Sequence, residues 1–109
     1  MENIKEQIIF HVTYTCKPGM AEAFINAVRE RGLQEKTRQE DGCMQYDYHI
    51  SCEVPDTIVL LEMYRDKEAV ANHAAQPTFQ EISKLKEEYV LDVKLERFKI
   101  VPKVPKEAK

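Results

Sequence analysis

Glycine is scarce in this chain, with three in 109 residues. No glycine-rich loop is present to cradle a phosphate on backbone N–H groups, which argues against nucleotide-binding loops of that kind. Cysteine is equally sparse: Cys16, Cys43 and Cys52 are an odd number at no short repeated spacing. A disulfide framework is not expected, and a reduced, cytoplasmic setting is. The thiols read most simply as small, buried or half-buried hydrophobes. The three histidines are scattered and form no His-x-x-x-His pair, so no metal site is expected. No apolar run approaches the ~20 residues that span a bilayer, so no membrane partner is expected. The opening residues, MENIKEQIIF, lack a basic region followed by an apolar stretch and a small-residue cleavage site, so no secretory signal is expected. Positive charge is not in excess: the net charge of −3 provides no basic footprint for nucleic acid. A Ser/His/Asp nucleophile elbow is missing as well.

What is there is an ordinary globular balance, 43% apolar and 32% charged residues, in a length suited to one domain. Residues 1–7 read as a loose polar lead-in, 8–100 as the domain, and 101–109, VPKVPKEAK, as a Pro/Lys tail, disordered or draped on a partner. Ile8 to Thr15 is β-branched and aromatic, hence a strand. Pro18-Gly19 breaks it, and Met20, Phe24, Ala27 and Val28 recur at helical spacing. Gly32 falls inside that helix and loosens it, and the polar stretch Leu33 to Glu40 rests on the surface. Gly42 stops the helix. Cys43 to Ile50 and Thr57 to Tyr64 are strands joined by the Pro55-Asp56 turn. Asp66 caps a helix over Lys67 to Ala75. Thr78 and Glu81 form a capping box for a second helix buried through Phe79, Ile82, Leu85 and Tyr89. Val90 to Lys99 alternates as the last strand.

This order predicts an α+β, ferredoxin-like βαββαβ domain: an antiparallel four-stranded sheet with helices on one face. Tyrosine and valine side chains on the open face then meet water unless covered. A second copy of the chain is the simplest cover, so a homodimer through the open sheet face is expected.

The residues Gly42-Cys43-x-x-Tyr46, Glu62-x-Tyr64, Asp66-x-Glu68-Ala69-x-x-x-His73 and Pro77-x-Phe79 resemble those of the antibiotic biosynthesis monooxygenase family. The likeness runs from Ile8 to Phe98 and implies a dimeric α+β barrel. Its superfamily includes cofactor-free quinol monooxygenases, haem-degrading enzymes, autoinducer-processing isomerases and proteins of no known activity. Glu62, Tyr64 and His73 fall on the family's acid–x–aromatic and helical histidine positions, and Tyr46 on the aromatic after the Gly-Cys turn. Haem-degrading relatives carry an asparagine, a tryptophan and a haem-ligating histidine where this chain has His11, His73 and Ser83. The chain has no tryptophan at all, so haem degradation is not expected. The segment YRDKEAVANH is similar to the isomerase acting on the phosphorylated autoinducer-2 signal, which keeps that activity as the alternative.

The leading expectation is a cofactor-independent monooxygenase using molecular oxygen on a small phenolic or quinol substrate. Such chemistry needs a base near neutral pKa, donors for the developing oxyanion and a dry pocket. Histidine suits the first need, with an unperturbed pKa of ~6.5. His73 and His11 are the candidates, and Glu62 competes as a base or as a structural acid. Tyr64 and Tyr48 are hydroxyl donors, with Tyr46 beside them. Phe10, Met63, Phe79 and Leu85 are the apolar walls. A roomy hollow is expected beneath His73, and Arg65, Lys84 or Lys86 pointing into it favours the phosphorylated substrate of the isomerase. A hollow filled by Phe79 and Tyr64 favours a non-catalytic small-molecule-binding domain.

Overall fold

A computed structural model describes residues 6–101 of the chain. The proposed lead-in and tail fall largely on residues 1–5 and 102–109, outside the described residues. The elements are β1 (Ile8–Cys16), α1 (Ala21–Glu30), α2 (Leu33–Arg38), β2 (Cys43–Ile50), β3 (Thr57–Tyr64), α3 (Lys67–Ala74), α4 (Pro77–Tyr89) and β4 (Val90–Phe98). The strands form one sheet in the order β2-β3-β1-β4, every pair antiparallel. This is the ferredoxin-like α+β arrangement, with the helices packed on one face of the sheet.

Cross-strand register divides the side chains between the two faces. Tyr46, Glu62, Phe10 and Arg97 form one row across the sheet, and Tyr48, Leu60, Val12 and Leu95 the next. Because residues directly opposite in antiparallel strands share a face, these rows all look toward the helices. The core lies there: Val12, Tyr14, Ile58 and Leu60 meet Phe24, Val28, Leu33, Ile82 and Leu85. Phe24 stands edge-on to Tyr14 at 5.6 Å and to Tyr48 at 5.9 Å, the geometry that aromatic quadrupoles favour. The alternate rows look away: Gln45, Met63, Ile9 and Phe98, then Asp47, Leu61, His11 and Glu96.

Several local expectations change. Gly32 does not loosen one long helix; at φ +69° it ends the first and starts the second. The turn swings α2 inward, so Leu33, Gln34 and Thr37 are buried rather than resting on the surface. Thr37 then satisfies its buried hydroxyl by donating to the Leu33 carbonyl at 2.9 Å. The Thr78–Glu81 capping box is not formed. Pro77 occupies the first helical turn, its fixed φ suiting that position, so Thr78 lies inside the helix and Gln76 at its cap makes no side-chain capping bond, its amide donating back to Asn72 instead. Asp66 caps α3 by accepting from the Ala69 N–H at 2.9 Å. The open face carries Ile9, Val59, Leu61 and Met63 but no tyrosine of the sheet, since Tyr14, Tyr46, Tyr48 and Tyr64 take the helix face.

Candidate active site

Glu62 and Tyr64 sit two residues apart on β3, so strand alternation points both toward the helices. Tyr46 pairs directly opposite Glu62 from β2. The Asp66 cap fixes where α3 begins, and His73 falls on the same face as Ala69, one turn on, looking back at the sheet. The result is an imidazole boxed by aromatic rings: Tyr64 at 5.3 Å, Tyr46 at 5.9 Å and Phe79 at 5.2 Å between centroids.

Two carboxylates meet this imidazole. Nδ1 of His73 lies 2.8 Å from Glu40 Oε1, and Nε2 lies 3.9 Å from Glu62 Oε1. Glu62 Oε1 also accepts from the Tyr64 hydroxyl at 2.5 Å. All three groups are withdrawn from water, their side chains being 9%, 8% and 12% exposed for His73, Glu40 and Glu62. Burial pushes the Glu62 carboxyl above its ordinary pKa, against the opposing pull of the Tyr64 hydroxyl, His73 and Lys86. Burial likewise lowers the Lys86 ammonium, with Glu62 resisting. Tyr64 is held well above the usual phenol range, first by burial and then by the Glu62 charge beside it. Tyr46 and Tyr48, their hydroxyls 3.4 Å apart, are raised chiefly by burial. These tyrosines are therefore protonated donors throughout the physiological range.

The space these groups enclose is small. Tyr14, Tyr46, Glu62, His73, Phe79, Ile82, Ser83 and Lys86 line a hollow of ≈ 30 Å³, room for one or two waters. The roomy hollow expected from the sequence is absent, because the Phe79 ring packs edge-on against the imidazole. Phe79 is itself 37% exposed, so it forms the outer wall.

Of the residues singled out from sequence, His73, Glu62, Tyr64, Tyr46 and Phe79 converge here, with Tyr48 behind Tyr46. Phe10 is one step removed, edge-on to Tyr64 at 6.3 Å. Leu85 is core rather than wall. His11 and Met63 are on the opposite face of the sheet, since their neighbours Phe10 and Glu62 take the helix face. His11 stacks on Phe98 at 5.0 Å, with Glu96 at 3.5 Å. Of the three cations considered, Arg65 is committed at the surface to Asp41 and Asp66, Lys84 is exposed, and Lys86 lines the hollow. Sequence reasoning missed Glu40 and Tyr14. Tyr14 was legible as the strand neighbour of Val12. Glu40 was not, because the left-handed turn at Gly42 decides its direction.

Raising Glu62 above its unfolded value has a consequence for stability. The folded state keeps a proton there that the unfolded state has lost, so this contribution is full below the ordinary carboxylate range and is lost as pH rises through the folded pKa. Glu62→Gln is expected to lose less stability than wild type between pH ~4 and neutrality. Urea midpoints across that interval measure the difference, and parallel wild-type and variant curves would refute it.

A single ferredoxin-like domain with a buried, carboxylate-flanked histidine between sheet and helices defines the class of small α+β proteins to which this chain conforms. The chain belongs to the antibiotic biosynthesis monooxygenase family, whose model matches residues 7–85. Three solved structures illustrate the likeness. A Pseudomonas aeruginosa protein, PA3566, is 27% identical with a TM-score of 0.80, covering 93% of this chain and 100% of its own. A Shewanella oneidensis protein, SO0527, is 27% identical with a TM-score of 0.76, covering 86% and 90%. A protein described as an antibiotic biosynthesis monooxygenase is 27% identical with a TM-score of 0.74, covering 87% and 99%. No protein of curated function matches the chain. Among the described residues no helix is long and apolar enough to cross a membrane, and no cluster of metal-ligating side chains occurs.

Proposed function

We propose that this protein is a cofactor-independent monooxygenase that oxidises a small phenolic or quinol substrate with molecular oxygen. The observation that carries the reading is His73, buried among aromatic rings with a carboxylate at each side. His73 removes the phenolic proton, and the substrate anion supplies electrons to oxygen. A carbon–oxygen bond forms, the ring carbon loses its hydrogen, and the second oxygen atom leaves as water. The substrate is thus its own reductant, and a phenol plus oxygen balances to a quinone plus water. Tyr46, which lines the hollow, is the donor facing the developing charge, since the Tyr64 hydroxyl is given to Glu62. Lys86 adds a desolvated cation, but Glu62 is already set against it and Glu40 adds a second buried carboxyl beside His73, so a phosphate dianion is poorly accommodated. That balance favours a neutral phenol over the phosphorylated hydroxy-ketone of an isomerase.

Ligand pockets usually measure about 300–1,000 Å³, an order of magnitude more than the hollow under His73. Substrate admission therefore requires Phe79 to swing outward, its place beside the imidazole passing to the substrate ring. The same small volume is the observation favouring a non-catalytic binding domain. Oxygen-electrode traces with hydroquinones and naphthols, menadiol among them, separate the readings. Protein-dependent oxygen uptake is expected, with quinone accumulating; uptake no faster than in buffer would leave the binding-domain reading.

A homodimer is part of this proposal. The open face presents Leu61, Met63 and the 44%-exposed Phe98, while Leu91, Val93 and Leu95 along the edge strand β4 are 63%, 45% and 58% exposed. Apolar exposure on this scale calls for a partner surface, and a self-complementary one suits two-fold pairing. Light scattering is expected to return twice the 12.7 kDa chain mass, whereas a monomer at micromolar concentration would contradict it.

A further inference from the structure

The two nitrogens of His73 stand in different settings. Nδ1 is within hydrogen-bond distance of Glu40 Oε1 at 2.8 Å, whereas Nε2, 3.9 Å from Glu62 Oε1, is beyond it. An ionised carboxylate can only accept, so the first contact requires the hydrogen on Nδ1. Glu40 is placed for this by its own backbone: its carbonyl accepts from the Cys43 N–H at 3.1 Å, closing the turn that leads into β2. Its side chain is 8% exposed, and its second oxygen, Oε2, is buried without a hydrogen-bond partner among the described residues. A buried carboxylate with one bond is costly, and a purely structural position would favour a neutral group or a fuller set of donors. The arrangement becomes favourable when the neighbouring imidazole turns cationic.

We infer that Glu40 is the positioning residue of His73. It holds the neutral ring in the Nδ1–H form, aims the bare Nε2 toward the hollow as the proton acceptor, and stabilises the imidazolium formed there. In that step the substrate O–H bond breaks, an Nε2–H bond forms, and the electron pair stays on the substrate oxygen. Among the described residues no other neighbour competes for Nδ1. From β3, the Tyr64 hydroxyl is committed to Glu62; from β2, the Tyr46 hydroxyl faces Tyr48; from α4, Phe79 is apolar and Lys86 is set against Glu62. The tautomer stands on geometry alone, while the step at the substrate rests on the function proposed above.

The test uses the full chain labelled with ¹⁵N-histidine, its ring nitrogens read by long-range proton–nitrogen correlation above neutral pH. His73→Gln identifies the His73 signals. Wild type is expected to show Nδ1 as the protonated nitrogen and Nε2 as the bare one. Glu40→Ala is expected to admit the Nε2–H form, since Glu62 then becomes the nearest carboxylate. Glu40→Gln, whose amide oxygen still accepts from Nδ1–H, keeps the wild-type tautomer but lowers kcat at least ~10-fold with KM little changed, as loss of an orienting carboxylate does elsewhere. Wild-type His73 in the Nε2–H form, or Glu40→Ala with an unchanged tautomer, would overturn the assignment. The wild-type spectrum alone decides the first point even where a variant fails to fold. Full activity in Glu40→Gln would remove its electrostatic part. Wild-type protein that turns over no phenol yet shows the expected tautomers would count against the proposed reaction and leave the positioning role standing.

Discussion

Replacing His73 by alanine is expected to reduce turnover of the phenolic substrate at least ~100-fold, the usual contribution of a general base. The fall should appear in kcat, because the imidazole acts on the proton during reaction rather than on the substrate's apolar body. Alanine also strips Glu40 of its one side-chain partner, leaving a buried carboxylate with no bond at either oxygen. That loss costs about 1–3 kcal/mol of stability. A second variant separates the effects: His73→Gln can still donate to Glu40 and recover stability, but cannot act as a base. Low rate in both with near-normal stability in the glutamine form is the expected pattern, read by steady-state kinetics and urea unfolding. A glutamine variant that keeps wild-type kcat would move the base to Glu62, which faces the same hollow. His11 is not the fallback it is in the sequence, because it lies across the sheet from the hollow.

The second large effect is expected at Gly42. Its φ of +86° is in the left-handed region, and an added Cβ would lie 2.4 Å from the Ala69 Cβ. Gly42→Ala therefore combines left-handed strain of about 1–2 kcal/mol with core overpacking of about 1–3 kcal/mol. A loss of ~10 °C or more in Tm follows for a domain of this size. Gly32→Ala is the internal control: at φ +69° with nothing within 4 Å, it suffers the strain alone. Equal losses at the two glycines would refute the clash. The Gly42 variant should also lose activity, for two reasons with one origin. Pushing Ala69 displaces α3, which carries His73 one turn further on, and altering the turn redirects Glu40. The Gly42 carbonyl accepts from the Arg65 N–H at 2.8 Å, so the turn is pinned to the end of β3 as well.

Much of the fold was legible because it depends on near neighbours in the chain. The period-two alternation of Thr57–Tyr64 put Glu62 and Tyr64 on one face, and Asp66 started α3 where its side chain reaches the Ala69 N–H. Those two facts bring the acid, the phenol and the imidazole together on the helix side of the sheet. The errors were equally local. The Thr78–Glu81 pattern matched a capping box, but Pro77 began the helix first. The polar look of Leu33–Arg38 concealed a buried Thr37, whose hydroxyl is satisfied within its own helix.

Other features belong to long-range geometry. His11 and Met63 carry suitable chemistry, yet pairing of β1 with β3 sends both to the open face. Glu40 is 33 residues from His73 and shows no periodic signal, and only the turn at Gly42 brings them to 2.8 Å. The size of the hollow was likewise invisible, since it depends on where α4 settles Phe79. Sequence by itself determined the α+β order of elements and the residues that share a face, because backbone period and capping act over a few residues. Tertiary structure alone decided which carboxylate holds the imidazole and how little space lies beneath it, because both depend on elements packed from distant parts of the chain.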